Sequence, residues 1–145
     1  MSGNNDPLFS RQGDVSANGT TTMFAVITAA ANDFTGAGAN NALVFTADAT
    51  NGGFVRSIKC KAAGTNVASV ARFFINNGSA NSSATNNVFF TEQALPATTA
   101  SATANTGNDI EVPFFIALPP GFRIYVGLGT AVAAGWFFTP IGGKY

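Results

Sequence analysis

The 145-residue chain has no histidine and a single cysteine, Cys60. Lacking histidine, it has neither the commonest general base nor the commonest metal ligand, and Ser-His-Asp and Cys-His catalysis are excluded. One cysteine excludes an intramolecular disulfide. Charge is also scarce: 7 basic and 7 acidic residues cancel, and charged side chains make up 10% of the chain. A nucleic-acid surface needs clustered Lys and Arg to displace counterions, so this composition argues against nucleic acid as a partner. Only Arg56, Lys59 and Lys61 fall close together, and on a regular strand Arg56 points away from the two lysines. The longest apolar candidate, Met23–Ala31, is far shorter than the ~18 residues of a membrane span. The opening Met1-Ser2-Gly3-Asn4-Asn5-Asp6-Pro7 lacks the basic and then apolar pattern of a secretory signal.

What the sequence does contain is short apolar runs punctuated by Asn, Gly, Ser, Thr and Pro, the signature of an all-β domain. Residues 1–22 carry few apolar side chains and read as an extended N-terminal arm, leaving 23–145 as one domain. Strands are expected at Met23–Ala31, Ala42–Ala47, Gly53–Ala63, Val67–Asn76, Asn87–Leu95, Ile110–Leu118, Phe122–Thr130 and Gly135–Ile141. Eight strands at this spacing predict a two-sheet antiparallel sandwich of jelly-roll type. Ile110, Val112, Phe114, Ile116 and Leu118 alternate with outward positions, as do Phe122, Ile124, Val126 and Leu128. Pro119-Pro120-Gly121 between them predicts a tight hairpin. In the Gly53 run Phe54, Ile58, Cys60 and Ala62 form the apolar face, interrupted by Arg56. Asn76-Asn77-Gly78 marks a turn after Ile75.

Few residues carry chemistry. Asp109 and Glu111 share a strand face, a spacing seen in acid–base and cation sites, but no third or fourth oxygen ligand stands nearby in sequence, so the pair reads as a solvated strand edge. Any hydrolase would have to be a carboxylate-pair glycosidase. Cys60 shares a face with Ile58 and reads as a small buried hydrophobe. Gly127-Leu128-Gly129 and Gly142-Gly143 lack the strand-to-helix setting of a phosphate loop and read as strand bends and a terminal turn. No cofactor and no metal site is expected.

The aromatic residues say more. Phe73-Phe74, Phe89-Phe90, Phe114-Phe115 and Trp136-Phe137-Phe138 send neighbouring rings to opposite sheet faces. One ring of each set either lies under a loop or meets a partner chain. The candidate interface residues are therefore Phe74, Phe89, Phe115, Phe137 and Tyr145, with Asp6, Leu8, Phe9 and Arg11 of the arm. Trp136, Tyr125 and Tyr145 would instead serve a glycan binder as stacking platforms.

Four runs stand out, Arg56-Ser57-Ile58-Lys59-Cys60-Lys61-Ala62-Ala63-Gly64-Thr65-Asn66, Val70-Ala71-Arg72-Phe73-Phe74-Ile75-Asn76-Asn77-Gly78, Leu95-Pro96-Ala97-Thr98-Thr99-Ala100-Ser101 and Ala117-Leu118-Pro119-Pro120-Gly121-Phe122-Arg123-Ile124. With Ala133-Ala134-Gly135-Trp136 and the ending Gly142-Gly143-Lys144-Tyr145, they resemble a group of small virion-type proteins of tailed bacteriophages, over residues 54–145. What the resemblance implies is a non-enzymatic virion structural protein, either a capsid decoration (cement) protein or a tail or fibre component. It also implies a homo-oligomer partnered by the major capsid protein or other virion proteins, with no membrane, nucleic-acid or small-molecule substrate role.

Overall fold

A computed structural model describes residues 11–12, 24–107 and 109–145. Among these described residues nine strands are formed: β1 (Arg11–Gln12), β2 (Ala25–Ile27), β3 (Ala42–Thr46), β4 (Gly53–Ala62), β5 (Ser69–Asn76), β6 (Asn87–Leu95), β7 (Ile110–Leu118), β8 (Arg123–Leu128) and β9 (Trp136–Lys144). Among the described residues the only helical segment is a short 3-10 turn, Ala84–Asn86. The strands make an all-β sandwich of two antiparallel sheets. One is ordered β1-β9-β4-β7, with β2 also on β9; the other is ordered β3-β8-β5-β6. Each of the eight expected runs contains a strand, seven at close to their expected bounds; Met23–Ala31 shortens to Ala25–Ile27, and β1 adds a ninth. It pairs Arg11 with Lys144 and Gln12 with Gly143, too short a contact for any periodicity to reveal. Asp6, Leu8 and Phe9 lie outside the described residues.

The core fills the space between the sheets as period-2 alternation requires. Val55, Ile58, Cys60, Val112, Phe114, Leu118, Trp136 and Phe138 project from one sheet; Val44, Phe45, Ala71, Phe73, Ile124, Val126 and Leu128 project from the other. Phe73 anchors the contact, set edge-on to Phe114 at 5.5 Å and to Phe138 at 6.0 Å between ring centroids. Phe90 from β6 stacks on Phe114 at 5.1 Å, so the edge strands β6 and β7 close the same side of the sandwich.

Two expectations fail in the connections. Pro119-Pro120-Gly121 does not make a hairpin: β7 pairs with β4, whereas β8 pairs with β3 and β5. The turn is tight, with Phe122 N–H donating to Pro119 O at 3.1 Å, but it carries the chain from one sheet to the other. It leans on the β3–β4 turn, which crosses in the same way, through Gly121 N–H to Asp48 O at 3.0 Å. Among the described strands only β5 and β6 are both consecutive in the chain and paired with each other, around the loop of residues 77–86. Gly142-Gly143, expected as a terminal turn, lies within β9, where Gly142 faces the β4 backbone at Phe54 too closely for any Cβ.

A third expectation fails at the face of Arg56. Between the paired positions Val55 and Ser57, β9 has no residue opposite Arg56, while β7 has two, Phe114 and Phe115. These bulges shift the alternation by one, so Gly53, Val55 and Ser57 turn inward ahead of Ile58 and Cys60. Arg56 is exposed, on the same outer face as Lys59 and Lys61.

Candidate functional site

The bulges build the most distinctive surface feature. Phe114 must stay in the core to meet Phe73, and the extra residue beside it, Phe115, is thrown outward with 70% of its surface exposed. Its φ is +46°, the left-handed region where a Cβ crowds the following carbonyl. A bulge of this type ordinarily takes glycine at that position. Here a bulky ring occupies it and makes little use of the core.

Arg56 stands across the strand boundary from Phe115. Its Nη2 donates to Glu111 Oε1 at 2.9 Å, and Ser57 Oγ donates to the same oxygen at 2.5 Å. Among the described residues no hydrogen bond is made to Glu111 Oε2, nor by Arg56 Nη1 or Nε. The Ser57 hydroxyl first, then the Arg56 guanidinium, hold the Glu111 carboxyl below its ordinary value. Arg56, Ser57, Glu111, Pro113 and Phe115 line a shallow, open depression of about 340 Å³. Farther along the same face Asp109 bridges Lys59 at 3.1 Å and Lys61 at 2.7 Å, and these two lysines lower its pKa. The Asp109–Glu111 pair expected from spacing is thus present, but each carboxylate is matched to cations in solvent. Among the described residues no cluster of three or more His, Cys, Asp or Glu is placed to hold a metal ion.

The remaining interface candidates divide. Phe74 is fully buried, contrary to its expectation as a contact residue: it faces outward from β5 but is covered by Gly36, Asn87 and Phe89. The covering loop is organised by Asp33, which accepts hydrogen bonds from Thr35, Gly36 and Gly38 N–H and from Asn41 Nδ2 at 2.6–2.9 Å. Partial burial disfavours its charge, yet the Asn41 amide and those three backbone donors outweigh this and lower its pKa. The same loop sets Phe34 under Arg72, whose guanidinium carbon lies 4.0 Å from the ring centroid, and edge-on to Phe89.

Phe89 is 38% exposed and Phe137 36% exposed; the latter packs edge-on against Phe24 at 5.8 Å beside exposed Val26. Tyr145 is half-buried, with its N–H donating to Gly52 O. The glycan-platform reading of Trp136 and Tyr125 fails: Trp136 is 1% exposed, within the core between the sheets, and Tyr125 is 9% exposed. Cys60 is buried as expected, and burial pushes its thiol up to about 12.

Phe34 escaped sequence reasoning because it sits outside both the expected strands and the aromatic doublets; Phe24 and Val26 escaped it because the Met23–Ala31 run that holds them carries no aromatic doublet. The joint appearance of Arg56 on an apolar face and a Phe doublet in the partner strand was the available signal for the bulge. Comparison with family models, with curated proteins and with solved structures finds no match to this chain.

Proposed function

We propose that the chain is a non-enzymatic structural protein of a bacteriophage virion, a decoration (cement) protein that oligomerises on the capsid surface, binds neighbouring capsid subunits and stabilises the shell. The observation that carries this reading is the spread of exposed apolar side chains. Phe24, Val26 and Phe137 lie around β2 and β9, Phe34, Val88 and Phe89 around the opposite sheet, and Phe90 and Phe115 along the β6–β7 edge. Apolar surface of this kind marks contact sites, and its distribution suits a subunit held between several neighbours better than one with a single cleft. Zero formal net charge removes the repulsion that keeps soluble monomers apart.

The resemblance of residues 54–145 to small phage virion proteins supports the same reading. So does the strand order: β2-β9-β4-β7 facing β3-β8-β5-β6, with all but one successive connection changing sheets, is one we read as a jelly roll. The test is cryo-electron microscopy of the native particle. Density for this chain repeated over the shell is the expected outcome; density confined to the tail makes it a tail or fibre component, and its absence from the particle refutes the proposal.

A further inference from the structure

Independently of the virion reading, we propose that the depression between the β4 and β7 bulges is a binding site for a neutral sugar unit. The chemistry follows from what the five lining residues can and cannot accept. An anionic ligand drawn to Arg56 would meet the Glu111 carboxylate 2.9 Å away, and a cationic one drawn to Glu111 would meet Arg56. A purely apolar ligand would bury the Arg56–Glu111–Ser57 cluster without giving its unused donors and acceptor new partners, which is costly. A pyranose satisfies every term. Its C–H face stacks on the exposed Phe115 ring, and adjacent hydroxyls donate to Glu111 Oε2 while accepting from Arg56 Nη1 or Nε.

The geometry is prepared for such a ligand. The Arg56 and Ser57 bonds fix the Glu111 carboxylate before anything binds, and Pro113 stiffens the strand between Glu111 and the ring. Phe115 is held outward by a left-handed backbone conformation that glycine would adopt without strain, while contributing little to the core. The volume of about 340 Å³ lies at the small end of ligand sites, and its openness suits one or two residues at the end of a longer glycan.

The experiment is a titration of the ¹⁵N-labelled full chain with maltose, cellobiose, lactose and chitobiose, followed by amide chemical shifts. A shallow site with one stacking ring is expected to bind at least one disaccharide with Kd of roughly 1 mM, so titration to about 50 mM saturates it. The shifts are expected at Arg56, Ser57, Glu111 and Phe115. Phe115→Gly keeps the bulge and is expected to weaken binding by about tenfold or more; Glu111→Gln keeps the shape and is expected to weaken it about fivefold or more. No saturable shift with any of the four sugars, shifts mapping to another surface, or unchanged affinity in both variants overturns the proposal.

Discussion

Replacing Phe115 by alanine and, separately, by glycine isolates the backbone conformation at the β7 bulge. Phe115 buries about 30% of its surface, the complement of its 70% exposure. At roughly 1.5–3 kcal/mol for a fully buried large apolar side chain, either substitution loses about 0.5–0.9 kcal/mol of contact. The two variants then differ only in the main chain. Alanine still carries the Cβ that makes φ = +46° unfavourable by about 1–2 kcal/mol, whereas glycine removes that penalty and brings its own ordinary handicap of about 0.5–1 kcal/mol in extended chain. Phe115→Gly is therefore expected to be more stable than Phe115→Ala by about 0.5–1 kcal/mol, or about 2–4 °C in Tm. In a regular strand the order reverses. Equilibrium urea unfolding, followed by the fluorescence of the single buried Trp136, measures the difference, with equal m-values as the check that both unfold alike. An alanine variant as stable as the glycine variant, or more so, refutes the strained bulge.

Asn66 ties the β4–β5 loop to the β8–β9 loop: its Oδ1 accepts from Ala134 and Gly135 N–H, and its Nδ2 donates to Gly135 O, each at 2.9 Å. Asn66→Ala leaves the Ala134 and Gly135 N–H groups unmatched, while Gly135 O keeps its bond from Ala63 N–H, and the change is expected to cost about 2–4 kcal/mol in urea unfolding. For Asp33 the folded-state pKa lies below the ordinary 3.8, so its charge contributes stability above the unfolded value, and that contribution is lost as pH falls through the folded value. Asp33→Asn is accordingly expected to lower Tm at neutral pH, with the gap from the parent chain closing below pH 3.8; a gap that widens on acidification contradicts the assignment. Cys60, with its thiol raised to about 12, is expected to resist alkylation by iodoacetamide in the native chain at about pH 8 and to react fully in denaturant, read by mass spectrometry.

Strand positions were legible because each run alternates over enough residues to reveal its period, as Ile110–Leu118 does. Sheet membership was not. Residues facing a shared core look the same whichever sheet they come from, so nothing in Ile110–Leu128 says that its two strands belong to opposite layers. Pro119-Pro120-Gly121 encodes a tight reversal, and the same reversal serves a hairpin or a crossing between sheets. At the candidate site, the shared face of Asp109 and Glu111 was legible from spacing, but the meeting of Glu111 with Arg56 and Ser57 was not. It depends on two bulges in separate strands, which change the facing of Arg56 without altering composition. The fate of the Phe doublets was equally hidden: Phe74 and Phe115 occupy similar sequence contexts, and a loop far upstream of the first, organised by Asp33, decides that one is covered.

The pairing of β2 and β4 with β9 also governs when the domain can exist during synthesis. Ala25, Val26 and Ile27 find their partners in Phe138, Phe137 and Trp136, and β4 is flanked along its length by β9. Until β9 has been made, β2 has no partner strand and β4 lacks one of its two neighbours. Pairings this distant in the chain make folding slow and leave strand edges open to association in the meantime. A chain truncated before Trp136 is accordingly expected to fail to complete its five-stranded sheet.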